Sequence, residues 1–552
     1  MLRLIAIIVV CLAVVAMGDA TGRQPRLHVD RLTVSPGGSE LQRQPFLNGQ
    51  AAVLHAVDDD ALAVELETGG LQTVGVLTVA GREGRATLGE PGGRTLAGGE
   101  PDCTTAATGG WQCKVIWRAN RPEERLPLYP ADDAVTIDSV DFSPVSLLRS
   151  PATSFAGLLL FLTLLVLLAP LIVLIRRKSP VLELPLLIGL SAAWIATTGV
   201  ASALAIAAFL AVGYLFVRLE LRAKGPYGDP KRSGLLLVVG FVLVVLLYFK
   251  VLAPHAAAAF GQTTSLALPL GLSYFSIRLI DVMFAARART LKQIGAVEFL
   301  GFMLHPSMLA AGPITTIADF RQARIANWSV ADYGSGIARC LVGLIKKFSA
   351  DLLLAPAVLH FTRIVAIDPE SAHAKIVWPM LFGQLLYIYL DFTGYTDLAL
   401  GTGRALGWRL PENFDLPLVR SNLQRFWRSW HMTLSNWVMR RVYFPAFIES
   451  RSPVLASICA MLTIGFWHQP GFGWTAWALH HGIGLGATLK FLDTAFRAKA
   501  PLARFAATPT GAVVTAGLGW AFTMSWIALG LSYTLFDNDL LSFAVLRGAF
   551  RF

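Results

Sequence analysis

Residues Ser154 to Ile175 read SFAGLLLFLTLLVLLAPLIVLI, and the basic triplet Arg176-Arg177-Lys178 follows directly. This stretch of 22 residues contains no charged side chain. A helix rises about 1.5 Å per residue, so a helix of this length crosses a hydrocarbon core of about 30 Å. Lys and Arg collect on the cytoplasmic side of membrane proteins. The sequence therefore predicts a transmembrane helix whose C-terminal end lies in the cytoplasm.

The composition of the whole chain is typical of a protein that crosses the membrane several times. Of its 552 residues, 54% are hydrophobic and 15% are charged, and the mean hydropathy is +0.56. An ordinary soluble domain has about 25% charged residues. The net charge of +11 would suggest a nucleic-acid partner in a soluble protein, but here many Lys and Arg residues lie in short loops between apolar stretches. We therefore expect membrane lipid around the chain and no nucleic-acid partner.

Further apolar stretches and basic loops follow the first helix. Residues Leu182 to Val217 predict two short spans broken near Thr197-Thr198-Gly199, and two more spans are predicted at Leu235 to Phe249 and Leu266 to Phe284. Basic residues between 218 and 232 and between 287 and 292 mark the cytoplasmic side again. We divide this part of the chain into N-terminal transmembrane helices, residues 154–260, and a second transmembrane part, residues 261–552.

The second transmembrane part contains interrupted apolar runs. The interrupting residues are Pro306, Gly312 and Pro313 in one run, and Gly394, Gly401 and Gly403 in another. Broken helices at membrane depth are tolerated where protein or a water-filled cavity receives the freed backbone groups, so we expect this part to surround a cavity. Further spans are predicted at Cys340 to Phe361, Ile376 to Leu390, Val454 to Trp467, Trp474 to Leu492 and Ala512 to Leu531.

The first 145 residues differ from the rest of the chain. Residues 1–20 have a basic start, a short apolar run and small residues before a polar stretch, which predicts a signal peptide; an uncleaved first helix is the alternative. Residues 21–145 show period-two alternation between glycine turns, which predicts an exported all-β domain. Cys103 and Cys113 bracket a Gly109-Gly110 turn, and an oxidising compartment would let them form a disulfide. Two free thiols are the alternative.

Two histidines near the C-terminal end carry the strongest functional signal. His431 follows Trp430 and His468 follows Trp467, and both lie in or beside strongly apolar sequence. An ionisable side chain at membrane depth costs free energy, so it is a functional-site hypothesis by default. The alternative is a pair of interfacial histidines whose ring nitrogens bind backbone carbonyls or water.

Short motifs surround these histidines, and each is weak alone. They are Pro269-Leu270-Gly271-Leu272-Ser273-Tyr274-Phe275, Ala311-Gly312-Pro313-Ile314, Leu390-Asp391-Phe392-Thr393-Gly394-Tyr395-Thr396-Asp397, Asn413-Phe414, Phe426-Trp427-Arg428-Ser429-Trp430-His431-Met432-Thr433-Leu434-Ser435 and Gly465-Phe466-Trp467-His468. Their order and spacing together are specific. From about Leu266 to Leu492 the chain resembles the membrane-bound O-acyltransferase superfamily, in the bacterial branch that includes alginate O-acetylases and the D-alanyl transfer membrane protein of teichoic acid synthesis.

This resemblance implies a mainly α, polytopic membrane core around a central tunnel in the bacterial inner membrane, with the β domain in the periplasm. It implies an O-acyltransferase that moves an acyl group, most simply acetyl from cytoplasmic acetyl-CoA, toward an exported polysaccharide. Acyl-CoA would be the donor substrate, and no tightly bound cofactor is expected. Relatives in this branch usually act with a periplasmic partner protein, so such a partner and an exported glycan acceptor are expected by resemblance only.

The resemblance also assigns the two histidines. His468 matches the family's invariant active-site histidine, and His431 matches its second histidine. Acyl transfer to a hydroxyl needs a base, and a neutral imidazole, with an ordinary pKa of about 6.5, suits that role. The other histidine would donate to the developing oxyanion or orient the base. The sequence leaves open which histidine has which role.

Further residues are assigned to substrate binding as hypotheses, and they are Trp430, Trp467, Asp391, Asp397 and Arg428. The aspartates would orient a histidine or line the tunnel; alternatively, they accept hydrogen bonds from backbone N–H groups freed at a helix break. Arg428 and its basic neighbours would bind coenzyme A phosphates, or they anchor the chain at the interface. His481 is predicted to support the structure, His305 to be a satisfied loop histidine, and no metal site is predicted.

The chain departs from the family pattern at two places. Gln469-Pro470 follows His468 where the family usually has glycine, and the Arg-Asp-Tyr commonly found after the first histidine motif appears here as Arg440-Arg441-Val442-Tyr443, without the aspartate. A non-catalytic assembly scaffold would explain both departures. A transporter would also show broken helices and intramembrane charges, but the internal repeat expected of one is not visible. We expect an active enzyme because both histidines and their tryptophans persist.

Overall fold

The computed structural model describes ten strands between residues 28 and 144, and the chain from residue 152 to residue 551 without residues 198, 224–233, 253–270, 310–311, 368–370, 496–500 and 537–538. Side chains are described only in the second of these parts, where a few more positions are also left out. The predicted signal peptide, residues 1–20, lies outside the described residues.

The strands form two five-stranded sheets in which neighbours pair antiparallel. They are β1 His28–Val34, β2 Arg43–Pro45, β3 Ala51–Asp58, β4 Ala61–Glu67, β5 Thr73–Gly81, β6 Ala86–Leu88, β7 Asp102–Thr105, β8 Trp111–Ala119, β9 Arg125–Pro130 and β10 Val135–Pro144. The strand orders are β1-β10-β5-β8-β7 and β2-β3-β4-β9-β6. The register pairs Cys103 with Cys113. Their side chains lie outside the described residues, so the disulfide and the exported domain stay predictions.

The rest of the described chain is helical, as the sequence predicts. The helices are α1 Ala152–Lys178, α2 Pro180–Thr197, α3 Val200–Arg222, α4 Gly234–Leu247, α5 Leu272–Arg287, α6 Ala296–Met303, α7 Ile317–Gln322, α8 Val330–Ser349, α9 Ala355–Ile367, α10 Ala374–Ala405, α11 Leu423–Ser429, α12 Met432–Val438, α13 Phe444–Ser450, α14 Pro453–His468, α15 Phe472–Ala495, α16 Pro501–Ala506, α17 Pro509–Gly530 and α18 Asp539–Gly548. Turns of π-helix at Tyr248–Leu252, Ala350–Leu354 and Met439–Tyr443 continue α4, α8 and α12.

Several of these helices are suited to a membrane. Five described helices, with the turns that continue them, are long and apolar enough to cross it: Pro180–Thr197, Val200–Arg222, Gly234–Leu252, Ala374–Ala405 and Pro509–Tyr533. A shorter apolar helix, Pro453–His468, carries one of the two histidines at its last residue. The chain is therefore a multi-pass membrane protein.

Two of the predicted interruptions are confirmed. Gly199 separates α2 from α3 and has a φ of 135°, a conformation that glycine adopts readily and other residues rarely adopt. The run that contains Pro306 is also broken, because α6 ends at Met303, a short 3₁₀ turn covers Pro306–Met308, and α7 begins only at Ile317. The extended segment before α7 passes close to the histidine site described below.

The predicted break at Gly394, Gly401 and Gly403 is wrong. Helix α10 runs without interruption for 32 residues. These glycines serve helix packing instead: a Cβ at Gly394 would lie 2.8 Å from the carbonyl oxygen of Gly343 on α8, and a Cβ at Gly401 would lie 2.7 Å from that of Gly336. Small residues at such positions let two membrane helices approach closely. Gly394 and Gly401 therefore mark the contact between α8 and α10, whereas Gly403 lies against Leu410 and Ser307.

A buried ion-pair cluster joins the N-terminal helices to the second transmembrane part. Glu183 on α2 is fully buried. Its carboxylate lies 3.4 Å from Arg176 Nη1 and 2.7 Å from Arg324 Nη2, and Trp408 Nε1 donates to it at 3.1 Å. A buried carboxylate without such partners would be strongly destabilising. The cluster thus fixes α1 and α2 against the segment before α8 and the segment after α10.

Candidate active site

His431 lies in the turn between α11 and α12. Its backbone φ is 43°, in the left-handed region that a residue with a side chain enters at a cost of about 1–3 kcal/mol. The turn is fixed by Met432 N, which donates to the carbonyl oxygen of Asn413 at 2.8 Å. The residue is only 4% exposed. Strain of this kind occurs mainly at functional sites, and here it aims the imidazole into the protein.

The Asn413 side chain holds one edge of this imidazole, and Thr433 holds Asn413. Nδ1 of His431 lies 3.0 Å from Asn413 Oδ1. The same oxygen accepts the backbone N–H of Thr433 at 3.3 Å and its hydroxyl at 2.7 Å, and the Thr433 hydroxyl accepts Ile314 N–H at 3.0 Å. Nε2 of His431 is buried and has no hydrogen-bond partner among the described residues. One ring nitrogen is therefore occupied and the other is available to a substrate.

His468 is the last residue of α14, and two tryptophans flank it. Its ring stacks on Trp474 with centroids 4.5 Å apart, and Trp467 contacts it edge-on at 4.8 Å. Lys250 donates to the backbone carbonyl of Trp467 and, at 2.8 Å, to that of His468. The last carbonyls of a helix lack intrahelical partners, so Lys250 secures the helix end that carries this histidine. The side chain of His468 itself is exposed.

Tyr274 on α5 links His431 to Trp467, the tryptophan that contacts His468. Its ring centroid lies 6.5 Å from that of His431 and 5.3 Å from that of Trp467. Trp467 Nε1 donates to the carbonyl of Ser273 at 3.1 Å, which fixes this contact. Phe392 of α10 meets His431 edge-on at 4.8 Å on another side. The structure therefore brings His431 and His468 into one aromatic cluster.

The protonation of His431 follows from this burial. Burial lowers the pKa of the His431 imidazole from 6.5 to about 3, and the neighbouring His468 lowers it further in the same direction. The ring is consequently neutral at physiological pH, and a neutral imidazole carries a lone pair on one nitrogen. That lone pair is what a proton acceptor needs.

Three further residues are predicted to bind substrate, namely Trp430, Trp467 and Arg428, and they have different surroundings. Trp430 packs against Phe426, with centroids 5.5 Å apart, and against Phe414 at 5.3 Å, so it anchors the turn that carries His431. Trp467 lies between Tyr274 and His468, as above. Arg428 is exposed on α11. Only Trp467 among these three contacts His468 directly.

The two aspartates on α10 form ion pairs with α8. Lys347 donates to Asp391, and Lys346 donates to Asp397 at 2.6 Å, where Arg339 also pairs at 3.0 Å. Because α10 is unbroken here, the alternative in which these carboxylates accept freed backbone N–H groups is wrong. Asp391 precedes Phe392, the residue that contacts His431, so the ion pair lies one residue from the site.

Arg441, which lies in the segment that departs from the family pattern, forms an ion pair with a buried aspartate. Arg441 Nη2 donates to Asp281 of α5 at 2.9 Å, and its guanidinium lies 4.2 Å from the centroid of the Phe284 ring. Asp281 is 2% exposed. The carboxylate of this ion pair therefore lies on α5. Gln469, the other departure, directly follows α14 in an extended conformation, with its N–H bonded to Gly465 O.

Two further histidines are buried outside the pair. His481 packs between Trp427 and Trp477, with centroids 5.1 and 4.7 Å away, in agreement with a supporting role. His305 packs against Trp408 at 4.8 Å, but both of its ring nitrogens are buried without a hydrogen-bond partner among the described residues. That His305 is a satisfied loop histidine therefore stays a prediction.

Sequence reasoning assigned no role to several residues that shape the site. Asn413, Thr433 and Tyr274 all lie in the motifs quoted above, but nothing in the sequence shows that Asn413 and Tyr274 contact His431 or that Thr433 holds Asn413. Lys250 lies outside every motif, and its only signal is a charged residue at the end of an apolar stretch, which is rare at membrane depth. A search for such isolated charges would have found it.

The arrangement suits proton transfer to and from a hydroxyl. A neutral, buried imidazole with one nitrogen that has no partner among the described residues lies beside a second, exposed histidine, and aromatic side chains contact both. The burial of His431 excludes water from its ring and strengthens the electrostatic interactions there. No group of three or more His, Cys, Asp or Glu residues that could hold a metal ion occurs in the part of the chain that the structure describes.

Comparison with known proteins agrees with this chemistry. The chain is 30% identical over 290 residues to a probable alginate O-acetylase of Pseudomonas putida, covering 49% of this chain and 58% of that protein. It is 28% identical over 231 residues to the teichoic acid D-alanyltransferase of Bacillus subtilis, covering 39% and 57%. A peptidoglycan O-acetyltransferase of Helicobacter pylori is 27% identical over 256 residues, covering 41% and 48%. The chain spans about half the length of the curated relatives it matches.

A family model extends the match over most of the helical part. Residues 199–534 match the model of the membrane-bound O-acyltransferase family. This range contains α3 to α17 and both histidines of the cluster. The chain belongs to the membrane-bound O-acyltransferase family, in the branch that includes alginate O-acetylases.

Proposed function

We propose that the chain is a membrane O-acyltransferase that moves an acetyl group from acetyl-CoA toward the hydroxyl of an exported polysaccharide. The observation that carries this proposal is the placement of His431 and His468 in one aromatic cluster around Tyr274. A pair of interfacial histidines would have no reason to converge from two separate segments. Names of relatives that act on alginate, teichoic acid and peptidoglycan support a polymer as the acceptor.

The proposed reaction is acyl transfer without a metal or a covalent enzyme intermediate. The acceptor hydroxyl oxygen attacks the thioester carbonyl while an imidazole takes the hydroxyl proton. The tetrahedral intermediate then collapses, the bond between carbonyl carbon and sulfur breaks, and the imidazolium returns the proton to the sulfur, so coenzyme A leaves as the thiol. General base catalysis of this kind contributes about 10²- to 10⁴-fold. The strained backbone of His431 and the capped helix end of His468 hold the two rings for this step.

The donor and acceptor are proposed to reach the histidines from opposite sides through a tunnel. Trp467 and Trp474 flank His468 and would form the wall against which the acyl group lies. Exposed Arg428 would bind a phosphate of the donor, because guanidinium binds phosphate oxygens bidentately. Asp391 and Asp397 form ion pairs with lysines of α8. We therefore propose that they shape the tunnel wall rather than bind substrate directly.

The cellular arrangement follows from charge distribution and family resemblance. Basic loops after α1, α3 and α5 favour an orientation with these loops in the cytoplasm, and the family resemblance favours the bacterial inner membrane. We propose that residues 21–145 form a periplasmic domain behind a signal peptide, and that it holds the glycan or docks a periplasmic partner protein that completes the transfer. Acetyl-CoA is proposed as a passing donor, with no resident cofactor.

Membranes that contain the protein test the donor directly. Inverted vesicles given acetyl-CoA labelled in the acetyl group should transfer label to polymer inside the vesicles, and vesicles from a deletion strain should not. Label in the pantetheine part of coenzyme A should stay outside. Solute uptake without consumption of acetyl-CoA would instead indicate a transporter. Normal glycan acetylation by a variant in which both histidines are replaced by Gln would indicate a scaffold.

A further inference from the structure

We propose that Asn413 and Thr433 are positioning residues that hold His431 in a single tautomer, with the proton on Nδ1 and the lone pair on Nε2. The inference deepens the proposed function and rests on it wherever activity is measured. The tautomer itself is a property of the folded chain and can be measured without any substrate.

The orientation of the Asn413 amide is fixed by Thr433. The backbone N–H of Thr433 points at the Asn413 atom assigned as Oδ1, 3.3 Å away. A backbone N–H can only donate, so the atom that it faces must be an acceptor. Rotating the amide by half a turn would place an NH₂ group against that N–H. The oxygen of Asn413 therefore faces both Thr433 and His431.

The hydroxyl of Thr433 is oriented in the same way. Ile314 N–H donates to Thr433 Oγ1 at 3.0 Å, so the hydroxyl proton points away from Ile314. Its acceptor is Asn413 Oδ1, 2.7 Å away. Asn413 is fully buried and Thr433 is 6% exposed, so water does not compete with these bonds. The broken segment that contains Ile314 is thus linked to the histidine through three hydrogen bonds in series, by way of Thr433 and Asn413.

The tautomer of His431 follows. Nδ1 lies 3.0 Å from the Asn413 oxygen, which cannot donate, so Nδ1 must carry the proton. A neutral imidazole has one N–H, and Nε2 therefore carries the lone pair. Nε2 is the ring atom without a partner among the described residues. Neutral His431 can accept a proton there but cannot donate one to an oxyanion.

This result divides the roles that the sequence leaves open. His431 is the acceptor member of the pair, and donation to the developing oxyanion falls to another group. The titratable side chains that face His431 in the described part of the chain are Tyr274 from α5 and His468 from α14. Asn413 and Thr433 themselves do not titrate in the physiological range, so the proton on Nδ1 stays in place while Nε2 exchanges one.

Nitrogen NMR on the full-length protein tests the tautomer. The protein is labelled with ¹⁵N-histidine, placed in lipid nanodiscs and measured at neutral pH, and the His431 signals are identified by their loss in His431→Gln. We expect a pyrrole-type shift for Nδ1 and a pyridine-type shift for Nε2. The opposite pattern, or a signal averaged between the two tautomers, overturns the proposal whether or not the chain is an acyltransferase.

Variants of the two positioning residues give a second, independent test. Thr433→Ser keeps the hydroxyl and should keep kcat/KM within about threefold, whereas Thr433→Val should lower it by about tenfold or more, through kcat. Asn413→Asp places a carboxylate on Nδ1–H, which raises the pKa of His431 and moves the acid limb of the pH profile to higher pH. Equal activity and equal pH profiles in Thr433→Val and the parent contradict the proposal.

A matched control separates this effect from a general loss of structure. Asn422 is also an asparagine near the site, but its side chain accepts Arg425 N–H at 2.9 Å and caps α11. Asn422→Asp keeps a good capping residue, so the acid limb should remain where it is in the parent. The same shift in Asn422→Asp as in Asn413→Asp would overturn the assignment to Asn413. If the parent itself shows no activity, the result counts against the proposed function and not against the tautomer, which the NMR experiment tests separately.

Discussion

Arg441 and Asp281 form an ion pair 2.9 Å long between the π turn after α12 and helix α5. The carboxylate is almost fully buried, and the guanidinium lies over Phe284. Helix α5 also carries Tyr274, two turns before Asp281, so the ion pair fixes the helix that contacts His431 and Trp467. A residue that departs from the family pattern is thereby part of a charge pair rather than a sign of a lost site.

Breaking this ion pair should destabilise the protein. Arg441→Met leaves the buried Asp281 carboxylate without its charge partner and should lower the free energy of unfolding by about 3–5 kcal/mol. Asp281→Asn leaves a guanidinium that is only partly buried, so its loss should be smaller. The double variant Asp281→Asn with Arg441→Met should lose less than the sum of the two losses, because residues in one ion pair couple. Thermal unfolding in detergent gives the comparison, and Arg440→Met, at an exposed neighbour, should change little. Additive losses would contradict the pairing.

The close contact between α8 and α10 predicts a difference between two glycines on α8. A Cβ at Gly343 would lie 2.6 Å from the carbonyl oxygen of Gly394, whereas at Gly334 nothing lies within 4 Å. Gly343→Ala should therefore lower the melting temperature, since backbone atoms must move. Gly334→Ala should leave it unchanged or raise it, because alanine favours a helix by about 1 kcal/mol. Equal effects of both substitutions would show that the helices do not meet there.

The ion pair of Asp391 with Lys347 can be distinguished from a role in substrate binding. If Asp391 shapes the wall, Asp391→Asn should lower thermal stability and leave KM for the acyl donor unchanged. Lys347→Met should have a similar effect on stability, because it removes the other partner of the same pair. A raised KM in Asp391→Asn with normal stability would show that the carboxylate binds substrate.

The register of β7 and β8 predicts a disulfide if the domain is exported. Cys103 and Cys113 are directly opposite each other in the antiparallel pair, where Cα atoms lie about 4.5–5.5 Å apart, a separation that a disulfide can bridge. Mass spectrometry of the protein purified without reductant should find the two cysteines joined. Reaction of both with an alkylating agent in intact cells, before any reduction, would contradict both the bond and the oxidising location.

The elements found correctly from the sequence are those whose signal is local. Helices α2, α3, α14 and α17 follow from apolar runs, and the break before α3 follows from Gly199. Glycine gave a false signal in α10 because the same residue type allows a helix break and a close helix contact. Only the position of α8, far away in sequence, distinguishes these two uses.

The residues of the site also differ in whether the sequence alone identifies them. His431 and His468 stand out because ionisable residues beside tryptophan in apolar sequence are rare. Their supports do not stand out: Asn413 is 18 residues from His431, and Asp281 is 160 residues from Arg441. Hydrogen bonds of this kind depend on how helices are placed in three dimensions, and no spacing rule encodes them. The tautomer of His431 is therefore a result of the structure alone.

His431 and His468 are expected to act together on one acceptor hydroxyl, and the O-acetyl content of surface glycans tests this most directly. A deletion strain is complemented with the parent, His431→Gln or His468→Gln. The control is His360→Gln, at an exposed histidine of α9. Purified glycans are measured by proton NMR from cells with matched abundance of the protein. We predict that both cluster variants fall to the level of the deletion strain, since loss of the base slows transfer by about 10²-fold or more, while His360→Gln matches the parent. Parent-level acetylation by His468→Gln, or no change in any glycan on deletion, would contradict the enzyme and its two-histidine site.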